Sequence, residues 1–147
     1  MAYRTRFIPK NLKKYHGSTK KIVCRSNWER QLAKWCDKNP KIHRWNMEQV
    51  IIPYTDRGTG KRRRYFVDFW IEFKDGEIYL IEVKPYKQTK PPVKRKRKTR
   101  RYLNEVMTWA TNVSKWEAAE RFCELRGWHF EKWTENELKR LGLRIIS

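Results

Sequence analysis

Residues 64–84 constrain this chain most. They read Arg64-Tyr-Phe-Val-Asp68-Phe-Trp-Ile-Glu72-Phe-Lys74-Asp75-Gly76-Glu77-Ile-Tyr-Leu-Ile-Glu82-Val83-Lys84. Two runs rich in aromatic and β-branched residues flank an Asp-Gly pair, which is a hairpin signal. Loop length then decides which side chains meet. A three-residue loop of Lys74, Asp75 and Gly76, with Gly76 at positive φ, pairs Phe73 with Glu77. Val67 then faces Val83, Phe69 faces Ile81 and Ile71 faces Tyr79. That continuous apolar face favours this register. On the other face Asp68 lies opposite Glu82, Phe66 opposite Lys84 and Trp70 opposite Leu80. A two-residue Asp75-Gly76 loop would pair Asp68 with Val83 and send the carboxylates to opposite faces.

Two carboxylates directly opposed on a sheet repel each other. An oxygen-seeking cation such as Mg²⁺ turns that repulsion into a site. Lys84, two residues past Glu82, points to the same side. An aspartate, a second acid and a lysine around a hard cation make a phosphodiester-cleaving arrangement. The plainer alternative is an ion pair between Lys84 and the acids, which predicts no metal dependence.

Asp68, followed by Glu82-Val83-Lys84, resembles the catalytic core of the PD-(D/E)xK nuclease superfamily, with Val67 in place of the proline of that name. Ser26-Asn-Trp-Glu29-Arg, on a predicted helix, resembles the extra helical glutamate of several of its families. The whole chain is similar to the small head-completion nucleases of tailed phages, and its first half to transposon-end endonucleases. The resemblance implies a restriction-endonuclease-like core and one Mg²⁺ or Mn²⁺ held by Asp68 and Glu82. By the same resemblance Glu29 joins that ligand set or holds a bound water, and the carbonyl of Val83 is a further ligand. Lys84 orients the attacking water or stabilises the developing phosphorane charge. DNA is the implied partner, with phage head or portal proteins beside it. The implied setting is the cytoplasm of an infected host or the virion. One active site per chain nicks one strand, so double-strand cleavage calls for a homodimer or a second visit.

Charge supports a polyanionic partner. The formal net charge is +20. Residues 1–101 hold 29 Lys/Arg against 9 Asp/Glu, whereas residues 102–147 hold 7 of each. Nucleic acid is the simplest partner for that excess. A membrane fits less well, because no stretch approaches a spanning length and no basic amphipathic anchor is present. Cys24, Cys36 and Cys123 are far apart and odd in number, and His16, His43 and His129 do not join them at zinc spacing. They read as buried, reduced thiols of an intracellular protein. The N-terminus lacks the apolar core of a signal peptide.

Along the chain, residues 1–25 carry eight basic residues and no acid. They read as a basic arm or irregular lead-in, lying on a phosphate backbone or merely solvated. Ser26 opens a helix that Pro40 stops. Ser26-x-x-Glu29 is also a capping box, so Glu29 has a purely structural alternative. Residues 50–54 read as the first strand. Arg57, Lys61, Arg62, Arg63 and Arg64 make a flexible, positive hairpin tip, expected to grip DNA beside the site, with a merely solvated loop as the alternative. Residues 87–101 hold nine Lys/Arg and no acid. Of these, Lys94, Arg95, Lys96, Arg97, Lys98, Arg100 and Arg101 are the DNA-contact candidates; the same run also resembles a nuclear import signal.

A helix is expected to begin within residues 93–98, with Leu103, Val106, Met107, Ala110 and Val113 facing the core. Ser114-x-x-Glu117 suggests a new helix or a kink. Residues 128–133 alternate like a strand, and Thr134-x-x-Glu137 caps a last short helix. The expected fold is α/β in the mixed α+β sense, a central mixed sheet of about four strands flanked by helices. The domain is drawn at 26–147 after the arm. Three functions compete: a metal-dependent DNA endonuclease, a transposon-end or junction nuclease, and a non-catalytic DNA-binding or capsid-associated protein.

Overall fold

The structure, a computed structural model, describes residues 3–145; residues 1–2 of the expected arm and 146–147 of the expected domain lie outside the described residues. The elements run β1 (Thr5–Phe7), β2 (Ile22–Cys24), α1 (Asn27–Lys38), β3 (Ile42–Met47), β4 (Ile51–Thr55), β5 (Arg62–Phe66), β6 (Phe69–Phe73), β7 (Ile78–Val83), α2 (Arg100–Glu124), β8 (His129–Trp133) and α3 (Glu135–Arg140).

Gly76 has φ +92°, and the Phe73 amide donates to the Glu77 carbonyl at 2.9 Å. The hairpin loop is therefore the three-residue type. Phe69 pairs with Ile81, and Ile71 with Tyr79. A four-stranded sheet forms in the order β3-β6-β7-β8. Its β6–β7 and β3–β6 pairs are antiparallel, and β7–β8 is parallel. A parallel neighbour needs a long crossover, and α2 supplies it.

The expected continuous strand through Asp68 is corrected. The chain breaks at Val67 and Asp68, and β5 leaves to pair with β4. Val67 donates its amide to the Val50 carbonyl at 3.0 Å, and its carbonyl accepts from Glu48 at 3.1 Å. The expected Val67–Val83 and Phe66–Lys84 pairs do not form. Ile52, Tyr54 and Tyr65 give the β4–β5 hairpin a buried face of its own against Leu80, Ala118, Ala119 and Cys123. That burial favours the exchange.

Side chains alternate across the central sheet. Phe69, Ile71 and Ile81 pack with Trp45 and with Leu32, Ala33 and Cys36 of α1. Trp70 and Leu80 pack on the opposite side with α2, and Val67 joins them rather than the Phe69 face. Leu32 is fully buried under the sheet. Leu32→Ala is expected to cost about 2–5 kcal/mol of stability, read as a lower denaturant midpoint at unchanged m-value.

Three further expectations change. The lead-in over residues 1–25 is not irregular throughout: β1 and β2 pair, and Phe7, Tyr15, Ile22 and Cys24 are buried. The amides of Lys10 and Asn11 donate to the buried Asp37 carboxylate at 2.9 and 3.0 Å. These partners lie far along the chain, where local periodicity carries no trace of them. Secondly, β3 precedes the expected first strand. Its Trp45 and Met47 alternate with polar residues too briefly to signal a strand. Thirdly, α2 is one unbroken helix. It begins at Arg100 behind the Thr99 cap, later than expected, and Ser114 does not interrupt it. The Ser114 hydroxyl donates to the Ala110 carbonyl and accepts from the Arg57 amide. Leu103, Val106 and Met107 are exposed rather than core. The Thr134 capping box and the closing helix α3 form as expected.

Candidate active site

The break at Val67 creates the site. In an antiparallel ladder, directly opposed pairs alternate between hydrogen-bonded and non-bonded. Phe73–Glu77 is a bonded pair, so Val67–Val83 would be the bonded pair at the far end. Val67 has gone to Val50 and Glu48, and Val83 faces a gap. The Asp68 carboxylate fills half of it: its Oδ2 accepts from the Val83 amide at 2.8 Å. A bonded strand residue directs its N–H and C=O to the same neighbour, so the Val83 carbonyl opens on the same gap.

Glu82 is buried, with 7% of its surface exposed. The Tyr65 hydroxyl donates to Oε1. Lys84 Nζ lies 3.5 Å from Oε2, with the lysine side chain only 20% exposed. Burial pushes the Asp68 carboxyl well above the usual aspartate value, and the nearby Glu82 and Glu29 charges push it the same way; the Val83 amide and Lys84 oppose them. Burial also raises Glu29, with further contributions from Glu48 and Glu82. The Tyr65 phenol rises through burial and then through Glu82 and Asp68. Direct contacts tie Tyr65 and Lys84 to Glu82 and Asp68 to the Val83 amide, and the charge of Glu29 is felt at Asp68.

Glu29 does two things at once. It occupies the first turn of α1, where the Ser26 hydroxyl accepts from its amide at 3.1 Å. Its Oε1 accepts from the Arg25 amide at 2.9 Å, one residue before the Ser26 amide expected of a capping box. These contacts are those of the structural reading, with Arg25 in place of Ser26 as the amide donor.

Sequence reasoning missed Tyr65 and Glu48. Tyr65 sits among four basic residues and an aromatic, with nothing local to mark its hydroxyl. Glu48 has φ +55°, a left-handed conformation uncommon outside glycine. Its amide donates to the carbonyls of both Val67 and Asp68, and Arg25 pairs with its carboxylate at 3.2 Å. Strained backbone therefore stands directly behind the bend that carries Asp68.

The donor set suits a hard divalent cation. It consists of carboxylate and carbonyl oxygens, and its acids repel one another until a cation neutralises them. Among the described residues no group of three or more His, Cys, Asp or Glu is gathered as a ready metal cage. Magnesium does not require one, because one or two carboxylates suffice when waters and substrate phosphates complete the shell. Cys24, Cys36 and Cys123 are free and buried. Burial raises all three thiols, Cys24 to about 12 and Cys123 to about 11, so none is a ready nucleophile.

The basic candidates are all exposed but not equally free. The Arg57 guanidinium pairs with Glu117, and Arg63 Nε donates to Asp56 at 3.1 Å. The Asp56 carboxylate also takes the Thr111 hydroxyl, so the β4–β5 turn is strapped to α2 rather than flexible. Arg101 pairs with Glu105 at 3.5 Å. Arg62 donates to Thr55, and Arg64 stacks over Phe66. Lys61 and Lys94–Lys98 lie on the surface, with Lys98 over the Tyr102 ring. No helix among the described residues is long and apolar enough to cross a membrane.

A mixed sheet whose ladder opens on Asp68, with Glu82 on the neighbouring strand and Lys84 just past its end, has the core of a PD-(D/E)xK-type nuclease. More particularly, the chain belongs to the TnsA-like endonuclease N terminal family, whose profile matches residues 39–135. It is also 45% identical over 148 residues to the head completion nuclease of Enterobacteria phage T4, an alignment covering 98% of this chain and 99% of that protein. Both findings bear out the resemblance read from Asp68 and Glu82-Val83-Lys84. The profile spans those residues and begins after Glu29.

Proposed function

We propose that this chain is a divalent-cation-dependent DNA endonuclease of low sequence specificity that acts in phage head completion after DNA packaging. The observation that carries it is the open ladder, where Asp68 replaces a strand partner of Val83 beside Glu82 and Lys84. End-to-end similarity to a head completion nuclease supports the biological setting. That setting makes DNA the substrate, phage head or portal proteins the partners, and the infected host cell or the virion the location. Cutting both strands calls for a homodimer or a second encounter.

Asp68, Glu82 and the Val83 carbonyl would hold Mg²⁺ or Mn²⁺. The cation supplies Lewis acidity and a bound water of lowered pKa. Tyr65 fixes the orientation of Glu82 by donating to its Oε1. Lys84 donates its ammonium protons toward the attacking oxygen or the phosphate, where negative charge develops. Glu29 has Oε1 engaged by the Arg25 amide, which leaves Oε2 to hold a water. The exposed cations of residues 61–64 and 94–98 bind phosphates, and such contacts position a duplex without reading its sequence.

Plasmid DNA incubated with Mg²⁺, Mn²⁺ or EDTA tests the activity. Nicking with either cation and none with EDTA is the expected result; metal-independent cutting, or none at all, overturns it. Phosphate-dominated binding also makes affinity steeply salt-dependent. Engaging six to ten phosphates would cost about 10³–10⁵ in affinity between 50 and 200 mM salt. A loss of less than about threefold over that range, measured by fluorescence anisotropy, would sink the electrostatic account.

A further inference from the structure

A groove of about 740 Å³ lies between the segment that follows Lys84 and the first half of α2, and the chemistry above leaves it unused. Lys87, Lys90 and Arg100 stand along it. Residues four apart share a helix face, so Asn104, Thr108 and Asn112 form one stripe along its wall. Trp109 lies beside that stripe, half-buried, its ring held edge-on by Trp116 at 5.6 Å and 79°. The acid in the groove, Glu105, is paired with Arg101.

The groove surface is largely apolar, and polar and charged groups line it as well. It combines cations, uncharged donors and acceptors, and an anchored indole. Cations meet phosphates, amides and hydroxyls meet base edges, and aromatic rings stack with bases. The volume falls in the range of small-ligand clefts, enough to seat unpaired nucleotides. The groove begins at Lys87, three residues beyond Lys84 along the chain.

We propose that this groove binds an unpaired DNA strand next to the scissile phosphate, so that the substrate carries a single-stranded end or flap. The position of the cut rests on the nuclease reading; strand binding does not. The test uses the full chain carrying Asp68→Asn, in EDTA, with a labelled oligothymidylate and a labelled blunt duplex. Adding Trp109→Ala is expected to weaken single-strand binding about 5- to 100-fold, the worth of one stacked base, and to leave duplex binding unchanged. Trp109→Phe should retain most of the affinity. Thr108→Glu, at an exposed position, repeats the selective loss without removing a packed ring.

Equal losses on both DNAs, or no loss on either, overturn the proposal. So does displacement of the oligonucleotide by polyglutamate that Trp109→Ala abolishes, because the groove would then be built for an acidic protein segment. Cleavage by the otherwise unaltered chain separates the two readings. If it cuts nothing with Mg²⁺ or with Mn²⁺, the nuclease reading fails whatever Trp109 does. If it cuts blunt and overhanging ends equally, with or without Trp109→Ala, the groove proposal fails and the nuclease stands.

Discussion

Asp68→Asn is expected to lower DNA cleavage about 10³-fold or more while making the cation-free protein more stable. The amide keeps an acceptor for the Val83 amide and discards the charge. Because Asp68 is raised by burial and by Glu82 and Glu29, its ionised form destabilises the fold. The folded state therefore holds its proton more tightly than the unfolded chain does. Stability falls as pH rises from the ordinary aspartate range through the elevated folded value, and the full cost is present above it. The variant escapes that cost. Its melting temperature in EDTA should exceed that of the parent by about 3 °C or more at neutral pH, with the gap closing as pH falls. Adding Mg²⁺ should raise the parent's melting temperature and not the variant's, because binding stabilises only the form that binds. Thermal scans across pH, with and without cation, read all three effects. A variant less stable than its parent at neutral pH would mean that Asp68 is a structural cap on Val83 and not one of a set of repelling ligands.

Lys84→Ala carries the second large effect. Removing a charge-stabilising donor from a protected site costs about 10²–10³ in turnover. The loss should fall on kcat, with KM for DNA little changed, because the exposed cations that grip phosphates lie elsewhere. The substitution also strips Glu82 of the ammonium 3.5 Å from its Oε2. A buried carboxylate losing its partner destabilises the fold. The double variant Lys84→Ala/Glu82→Gln reads only the stability of the pair, because Glu82 is itself a proposed ligand; turnover is read on the Lys84→Ala single variant, assayed below its melting range. If Lys84 only neutralises Glu82, single-variant turnover stays within about threefold of the parent once folding is restored, as for a plain ion pair. If Lys84 acts on the phosphate, the folded single variant stays about 10²–10³-fold slower than the parent. Lys84→Arg keeps the charge but brings a planar fork into a tight site, so partial rescue at best is expected.

Glu48 and Tyr65 show where sequence reading met its limit. An aspartate on an alternating strand and an E-x-K beyond an Asp-Gly turn are spaced by local rules, so Asp68, Glu82 and Lys84 were legible. Tyr65 was not, since its hydroxyl acquires meaning only when the β4–β5 hairpin folds over Glu82. Glu48 was hidden for a similar reason. Its left-handed backbone is imposed by two carbonyls almost twenty residues away in sequence. The exposed stripe of Leu103, Val106 and Met107 misled in the opposite direction. Helical spacing reports that residues share a face, but it does not report what covers that face.

Turn chemistry, side-chain alternation and helix caps are settled within a few residues. The three-residue loop at Gly76, its register, the caps at Ser26 and Thr134 and the basic surface could therefore be read directly. Strand exchange at Val67 is a contest between distant partners, Val50 and Glu48 against Val83, for the same backbone hydrogen bonds. Only the packed molecule decides that contest, because burial of the β4–β5 hairpin against α2 tips the balance. The gap left in the ladder brings Asp68 to the Val83 amide beside Glu82 and Lys84, and the proposed cation site rests on that gap.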